Sequence, residues 1–192
     1  MKPISLVYSA FQPLDIFLTH SNKPFGRIIR LAETEKPDAK DDTTPTHGGI
    51  VYPTNGQFLA AEMNPRLILK TLEQYAGRHE QLVEVWRFCE WEAEKKQAAI
   101  EHLAYLLRKN AENTRYDLPG AIMSSPLGRK LFGWIPGFKN KPGRWFCTEM
   151  VGHILGQYAD PLIPGSLNPL DLSLYFQRTG KPKYIKVMGW KK

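Results

Sequence analysis

Apolar and polar positions alternate in short blocks over the first half of the chain, a period of two that predicts strands. Asp15 to Thr19 reads as a strand, and Arg27 to Leu31 as a second. Residues Glu33 to Pro45 are charged and carry Pro37, Asp41 and Asp42, so they form an exposed loop. Two apolar runs then flank Pro53-Thr54-Asn55-Gly56. Asn-Gly tolerates positive φ, so this is a hairpin signal. Leu67 to Tyr75 reads as a short helical stretch and Leu82 to Phe88 as a strand. From Glu90 to Asn110 the period changes to that of a helix, with Leu103, Leu106 and Leu107 on one side.

From Tyr116 to Trp145 the chain is rich in Gly and Pro, with one short helix expected at Pro119 to Ser124. Thr148 to Tyr158 is helical, with Met150, Val151, Ile154 and Leu155 on one face. Asn168-Pro169 fits a cap followed by proline in the first turn, opening a last short helix. Lys183 to Met188 alternates as a final strand. Hairpin-forming strands with helices beside them predict an α+β fold, here as one domain over residues 1–192.

Composition adds bounds. At 42% hydrophobic and 23% charged residues, the chain has the balance of a globular protein able to bury a core. No run approaches ~18 apolar residues and no secretory leader is legible at the start, so the default expectation is cytoplasmic. Two cysteines, Cys89 and Cys147, are too few for a disulfide framework and lack zinc-ligand spacing, so no metal or cofactor is expected. The net charge of +7 favours anionic partners such as nucleic acid, anionic lipid or acidic polymer without choosing among them. A solvated basic surface is the commoner cause of such a balance.

The chemistry concentrates around Cys147. A Gly/Pro-rich loop ends there and an apolar helix begins. A thiolate at a helix N-terminus faces unpaired N–H groups and the positive end of the helix dipole. Both lower a cysteine pKa, and the same groups stabilise an oxyanion. A buried inert cysteine fits the pattern about as well.

His47 shifts that balance. It opens HGGIVY, where Gly48 and Gly49 let another element approach. With a two-residue turn at Asn55-Gly56, His47 lies opposite Asn64 and diagonal to Glu62. With a four-residue loop it lies opposite Glu62 itself. Either way the two share a face, because side chains alternate with period two. A carboxylate beside a histidine fixes its tautomer and stabilises the imidazolium.

Taken together, DIFL, HGGIVY, AAEM, the Tyr116-Asp117 pair and CTEMV resemble the circularly permuted papain-like hydrolases related to NlpC-type cell-wall amidases, in particular the YiiX-like branch. The resemblance spans Leu14 to Leu172. It implies a papain-like fold in permuted order, with Cys147 as nucleophile, His47 as base and Glu62 as third polar member of a cysteine peptidase or amidase. Tyr116 matches a tyrosine near the site in such proteins. Leu14-Asp15 departs from the family's usual Gly-Asp, and Cys147-Thr148-Glu149 from its usual Cys-Ser-Glu.

Trp145 and Phe146 are candidates for the wall of a substrate groove, although aromatics before a buried helix more often pack. The basic cluster Arg129, Lys130, Lys139, Lys141 and Arg144 leads toward Cys147 and suits an anionic substrate or a solvated loop. His153, six residues after Cys147, falls on another face of the helix. His20, His79 and His102 read as surface residues, Cys89 as core, and Asp117 as a cap. The expected partner is a peptide or acyl-containing substrate, with no nucleic acid. Two rivals stay open: a lipid acyl hydrolase or acyltransferase using the same site, and a basic binding protein without catalysis.

Overall fold

The computed structural model describes residues 10–22, 26–27, 29, 44–64, 66–75, 80–113, 130, 146–165 and 167–189. Six strands form one antiparallel sheet: β1 (Ile16–Ser21), β2 (His47–Thr54), β3 (Gln57–Met63), β4 (Leu67–Thr71), β5 (Glu80–Phe88) and β6 (Tyr184–Gly189). Their order across the sheet is β4-β3-β2-β1-β5-β6. Among the described residues three α-helices of eleven residues or more accompany it: α1 (Ala93–Asn113), α2 (Cys147–Tyr158) and α3 (Pro169–Thr179). The class is α+β.

Both sheet faces are covered, and alternation sorts the side chains between them. Ile16, Leu18, Ile50, Ala61, Met63 and Val83 join the larger core with α1, α2 and α3. Phe17, Val51, Ala60, Leu82 and Val85 point the other way, into a second cluster closed by Phe11, Leu72 and Tyr75. Helix α2 packs on β2, and α1 packs on α2.

The β2–β3 turn sets the register that matters most. Asn55 and Gly56 have φ of 46° and 77°, the left-handed pair of a two-residue hairpin turn. Gly49 therefore pairs with Glu62. Helix α3 begins as its sequence predicts: Asn168 Oδ1 accepts the Asp171 N–H at 2.8 Å, and Pro169 occupies the first turn.

Two expectations need correction. Leu67 to Tyr75 is not helical throughout: it is strand β4 followed by a 3-10 turn, Leu72–Tyr75. Ile68, Leu72 and Tyr75 fall at helical spacing, but pairing with β3 wins over that local pattern. In the segment read as a second strand, Arg27 and Ile29 have helical backbone, as has Gly26 before them. A short apolar run does not by itself distinguish the two periods. The helix expected at Pro119 to Ser124 lies outside the described residues.

Candidate active site

Phe146 is the N-cap of α2, with extended backbone (φ −99°, ψ 173°). Its ring is buried, as are Cys147 and Thr148. Phe146 has no side-chain acceptor with which to cap. Glu149 instead reaches back, its Oε2 accepting the Phe146 N–H at 3.3 Å. A carboxylate in the first turn also suits the helix dipole. The Thr148 hydroxyl donates to Leu167 O at 2.5 Å and ties the helix start to the segment before α3.

The glycines of HGGIVY have distinct tasks. A Cβ on Gly48 would lie 2.8 Å from Leu18 Cδ2 and 3.2 Å from Thr148 Cγ2, so its absence lets α2 settle against β2. A Cβ on Gly49 would meet the Ala61 carbonyl oxygen and the Phe17 ring, the latter at 2.5 Å.

The Cys147 sulfur lies beside the His47 imidazole and the backbone N–H groups of Gly48 and Thr148, all of which favour its thiolate form. His47 Nε2 donates to Glu62 Oε2 at 2.7 Å, which leaves Nδ1 for the sulfur. Glu62 is wholly buried, yet its oxygens have four donors. Oε2 accepts from His47 and from the Tyr75 hydroxyl. Oε1 accepts from Asn64 Nδ2 at 3.2 Å and Lys70 Nζ at 2.5 Å.

Electrostatics follow from these contacts. Burial alone would push the Glu62 carboxyl up, but the His47 charge and the hydrogen bonds from His47, Lys70 and Tyr75 hold it far below the usual carboxylate range. Burial would likewise push His47 down. The Glu62 carboxylate and the Cys147 sulfur outweigh it and hold the imidazole well above its ordinary value. Burial works against the thiolate too, but His47 and the two backbone N–H groups bring the Cys147 thiol down. These shifts all favour a thiolate–imidazolium pair backed by an ionised carboxylate. Such a pair can attack an electrophilic carbonyl and protonate a leaving group.

Cys147, His47 and Glu62, named from the sequence far apart in the chain, are therefore together. Tyr116 and Trp145 lie outside the described residues, as do His79, Asp117, Arg129, Lys139, Lys141 and Arg144. Phe146 is core rather than groove wall. Cys89 is exposed, not core, because it follows the end of β5; both cysteines are free. His20 is buried, not on the surface: β1 runs on to Ser21 and carries it inward, where Nδ1 donates to Thr44 O at 2.9 Å. His102 is half-buried between α1 and α2, with Nδ1 3.0 Å from the Tyr158 hydroxyl and its ring 5.4 Å from that of His153. The sequence reading missed Asn64, Lys70 and Tyr75 as partners of Glu62. For Lys70 the signal was available: on a strand paired with β3, it shares parity with Glu62.

No protein family and no curated protein matches the chain by sequence. Among solved structures it is similar to that of YiiX from Escherichia coli O157:H7, described as a DUF1105 metalloprotein. Identity is 16%, the match covers 94% of this chain and 98% of the other, and the TM-score is 0.55. The two share a fold over nearly their whole lengths.

Proposed function

We propose that this chain is a cysteine hydrolase of permuted papain-like architecture, cleaving an amide bond in peptides of the cell-wall type. The observation that carries the proposal is the unbroken contact from Cys147 at the tip of α2, through His47, to a buried and ionised Glu62. The chain order, histidine and glutamate before cysteine, agrees with the resemblance to NlpC-related permuted hydrolases, and the shared fold with YiiX is consistent with it.

In the first step the Cys147 thiolate attacks the carbonyl carbon. The imidazolium passes its Nδ1 proton to the leaving nitrogen, the C–N bond breaks and a thioester forms. In the second step His47 takes a proton from water, the oxygen adds to the thioester carbon, and Cys147 leaves as thiolate. Glu62 keeps the imidazole in the orientation and tautomer that both steps need. Esters would react by the same two steps.

YiiX is described as a metalloprotein, but the described residues here do not fit a resident metal. Among the described residues no three His, Cys, Asp or Glu side chains are grouped to hold one. In the site itself the imidazole nitrogens already serve Glu62 and Cys147, one each. Among the described residues no helix is long and apolar enough to cross a membrane.

The test is incubation with muropeptides and, in parallel, with short-chain phospholipid. The proposal predicts amide cleavage of the first, lost in Cys147→Ala and in His47→Ala. Turnover of phospholipid alone would transfer the same chemistry to lipid esters. Turnover of neither, together with no covalent capture of peptide electrophiles at Cys147, would indicate a binding protein.

A further inference from the structure

Residue parity on three neighbouring strands places the charged groups of the site on one line. Gly49 of β2 pairs with Glu62, and Ile68 of β4 pairs with Glu62 from the other side. His47 and Lys70 are each two residues from those partners. Both therefore share the face of Glu62 and sit diagonal to it, at opposite ends. Diagonal neighbours are about 7–8 Å apart at the backbone, within reach of long side chains. Both contacts form: His47 Nε2 to Oε2 at 2.7 Å and Lys70 Nζ to Oε1 at 2.5 Å. Cys147, from α2, interacts with His47 in turn.

The result is a row of alternating charge: sulfur, imidazolium, carboxylate, ammonium. Its sum is zero with Lys70 and −1 without it. Glu62 is fully buried, so solvent does not screen that difference there, whereas the Lys70 side chain is 18% exposed. Among the described residues, the titratable and charged groups reaching Glu62 and His47 are Cys147 from α2, Lys70 from β4 and Tyr75 from the 3-10 turn, with neutral Asn64 as a further donor. Lys70 Nζ also lies 5.8 Å from the centre of the Tyr75 ring, so two of the donors brace each other.

We propose that Lys70 is a positioning residue of the candidate site, the outer counter-charge that sets the pH range in which Cys147 and His47 exist as an ion pair. The inference rests on the cysteine-hydrolase reading of the site. Removing the ammonium leaves the row with excess negative charge. That makes the imidazolium harder to deprotonate and the thiolate harder to form. Both limits of the ion-pair range therefore move up in pH. A residue that merely filled space would change the amplitude of the reaction, or the stability of the fold, and leave both limits in place.

The experiment reads the thiol directly and needs no substrate. In a Cys89→Ser background, the rate of Cys147 alkylation by iodoacetamide is followed across pH for the parent, Lys70→Met, Lys70→Gln and Lys70→Arg. The parent should show two inflections, the lower marking formation of the ion pair and the upper the loss of the imidazolium proton. In Lys70→Met both should rise by about half a pH unit or more. Lys70→Arg, which keeps the charge, should hold both near the parent values. Lys70→Gln keeps a polar side chain without charge and should behave as Lys70→Met; it decides the matter if the methionine variant does not fold. Inflections that stay at the parent values in the folded neutral variants would overturn the role of Lys70 while leaving the hydrolase reading intact. A parent with one inflection at the value of an ordinary thiol would overturn both.

Discussion

Glu62 on β3 and Asp160 just after α2 are both wholly buried carboxylates with nearly the same equipment. Each has a lysine: Lys70 at 2.5 Å from Glu62, Lys183 at 2.6 Å from Asp160. Each has tyrosine: Tyr75 on Glu62, Tyr175 and Tyr184 on Asp160 at 2.7 and 2.9 Å. Both carboxyls are held below their usual range in spite of burial, Asp160 by hydrogen bonds from Lys183, Tyr175, Tyr184 and the Leu162 N–H. The difference that bears on chemistry is a histidine. Glu62 touches an imidazole that in turn touches a thiol. The two tyrosines on Asp160 stay protonated near neutrality: burial and the Asp160 carboxylate push Tyr175 up to about 12 and Tyr184 further. The same device is a fastener at one end of α2 and, in the proposed function, part of a proton path at the other. A buried carboxylate points to chemistry only when a group that titrates near neutral pH completes its contacts.

Substitutions sharpen that contrast. The largest effect belongs to Cys147→Ala, which should lower amide cleavage by about a thousandfold or more with little change in melting temperature. Asp160→Asn should do the reverse. It strands Lys183 and two hydroxyls against a neutral amide and should cost about 3 kcal/mol in denaturant unfolding. The pH profile of Cys147 alkylation should not move. The sign of the pH dependence follows from the depressed carboxyl. Asp160 contributes stability above its unfolded value, about 3.9, and that contribution fades as pH falls through the lower folded value. Acid titration of stability should therefore be shallower in Asp160→Asn than in the parent.

Glu62→Gln comes next, with a fall in turnover of about ten- to a hundredfold and an upper alkylation inflection moved to lower pH, because the imidazolium loses its anionic partner. A Glu62→Gln enzyme with unchanged inflections would erase the distinction between the two carboxylates. The smallest effect is that of Tyr184→Phe. Removing one of four contacts to Asp160 should cost about 1 kcal/mol, read as a lowered unfolding midpoint at unchanged slope.

What could be read in the sequence was what short-range rules determine. Asn55-Gly56 dictated the turn, the turn dictated the β2–β3 register, and that register put His47 and Glu62 on one face. The glycine-rich approach and the apolar run after Cys147 marked a helix tip. The Glu62 surroundings were hidden because LILKTLEQY satisfies a helical period as well as a strand. Only pairing with β3 chooses, and pairing is not local. The Asp160 cluster was hidden for a similar reason: its side-chain partners come from α3 and from around the start of β6, brought together by the packing of those two elements on each other. Cys89 and His20 were misplaced because each lies at a strand end, where one residue more or less of pairing decides which way a side chain points.

The central claim is that the sulfur of Cys147 and the imidazole of His47 share a proton as a buried ion pair. Nitrogen-15 NMR of the His47 ring, followed through pH in the parent and in Cys147→Ala, addresses it most directly. The account predicts a doubly protonated ring at neutral pH that persists well above the ordinary histidine value of about 6.5 and titrates lower once the thiol is removed. A ring that titrates near 6.5 in both proteins, indifferent to the thiol, would contradict it.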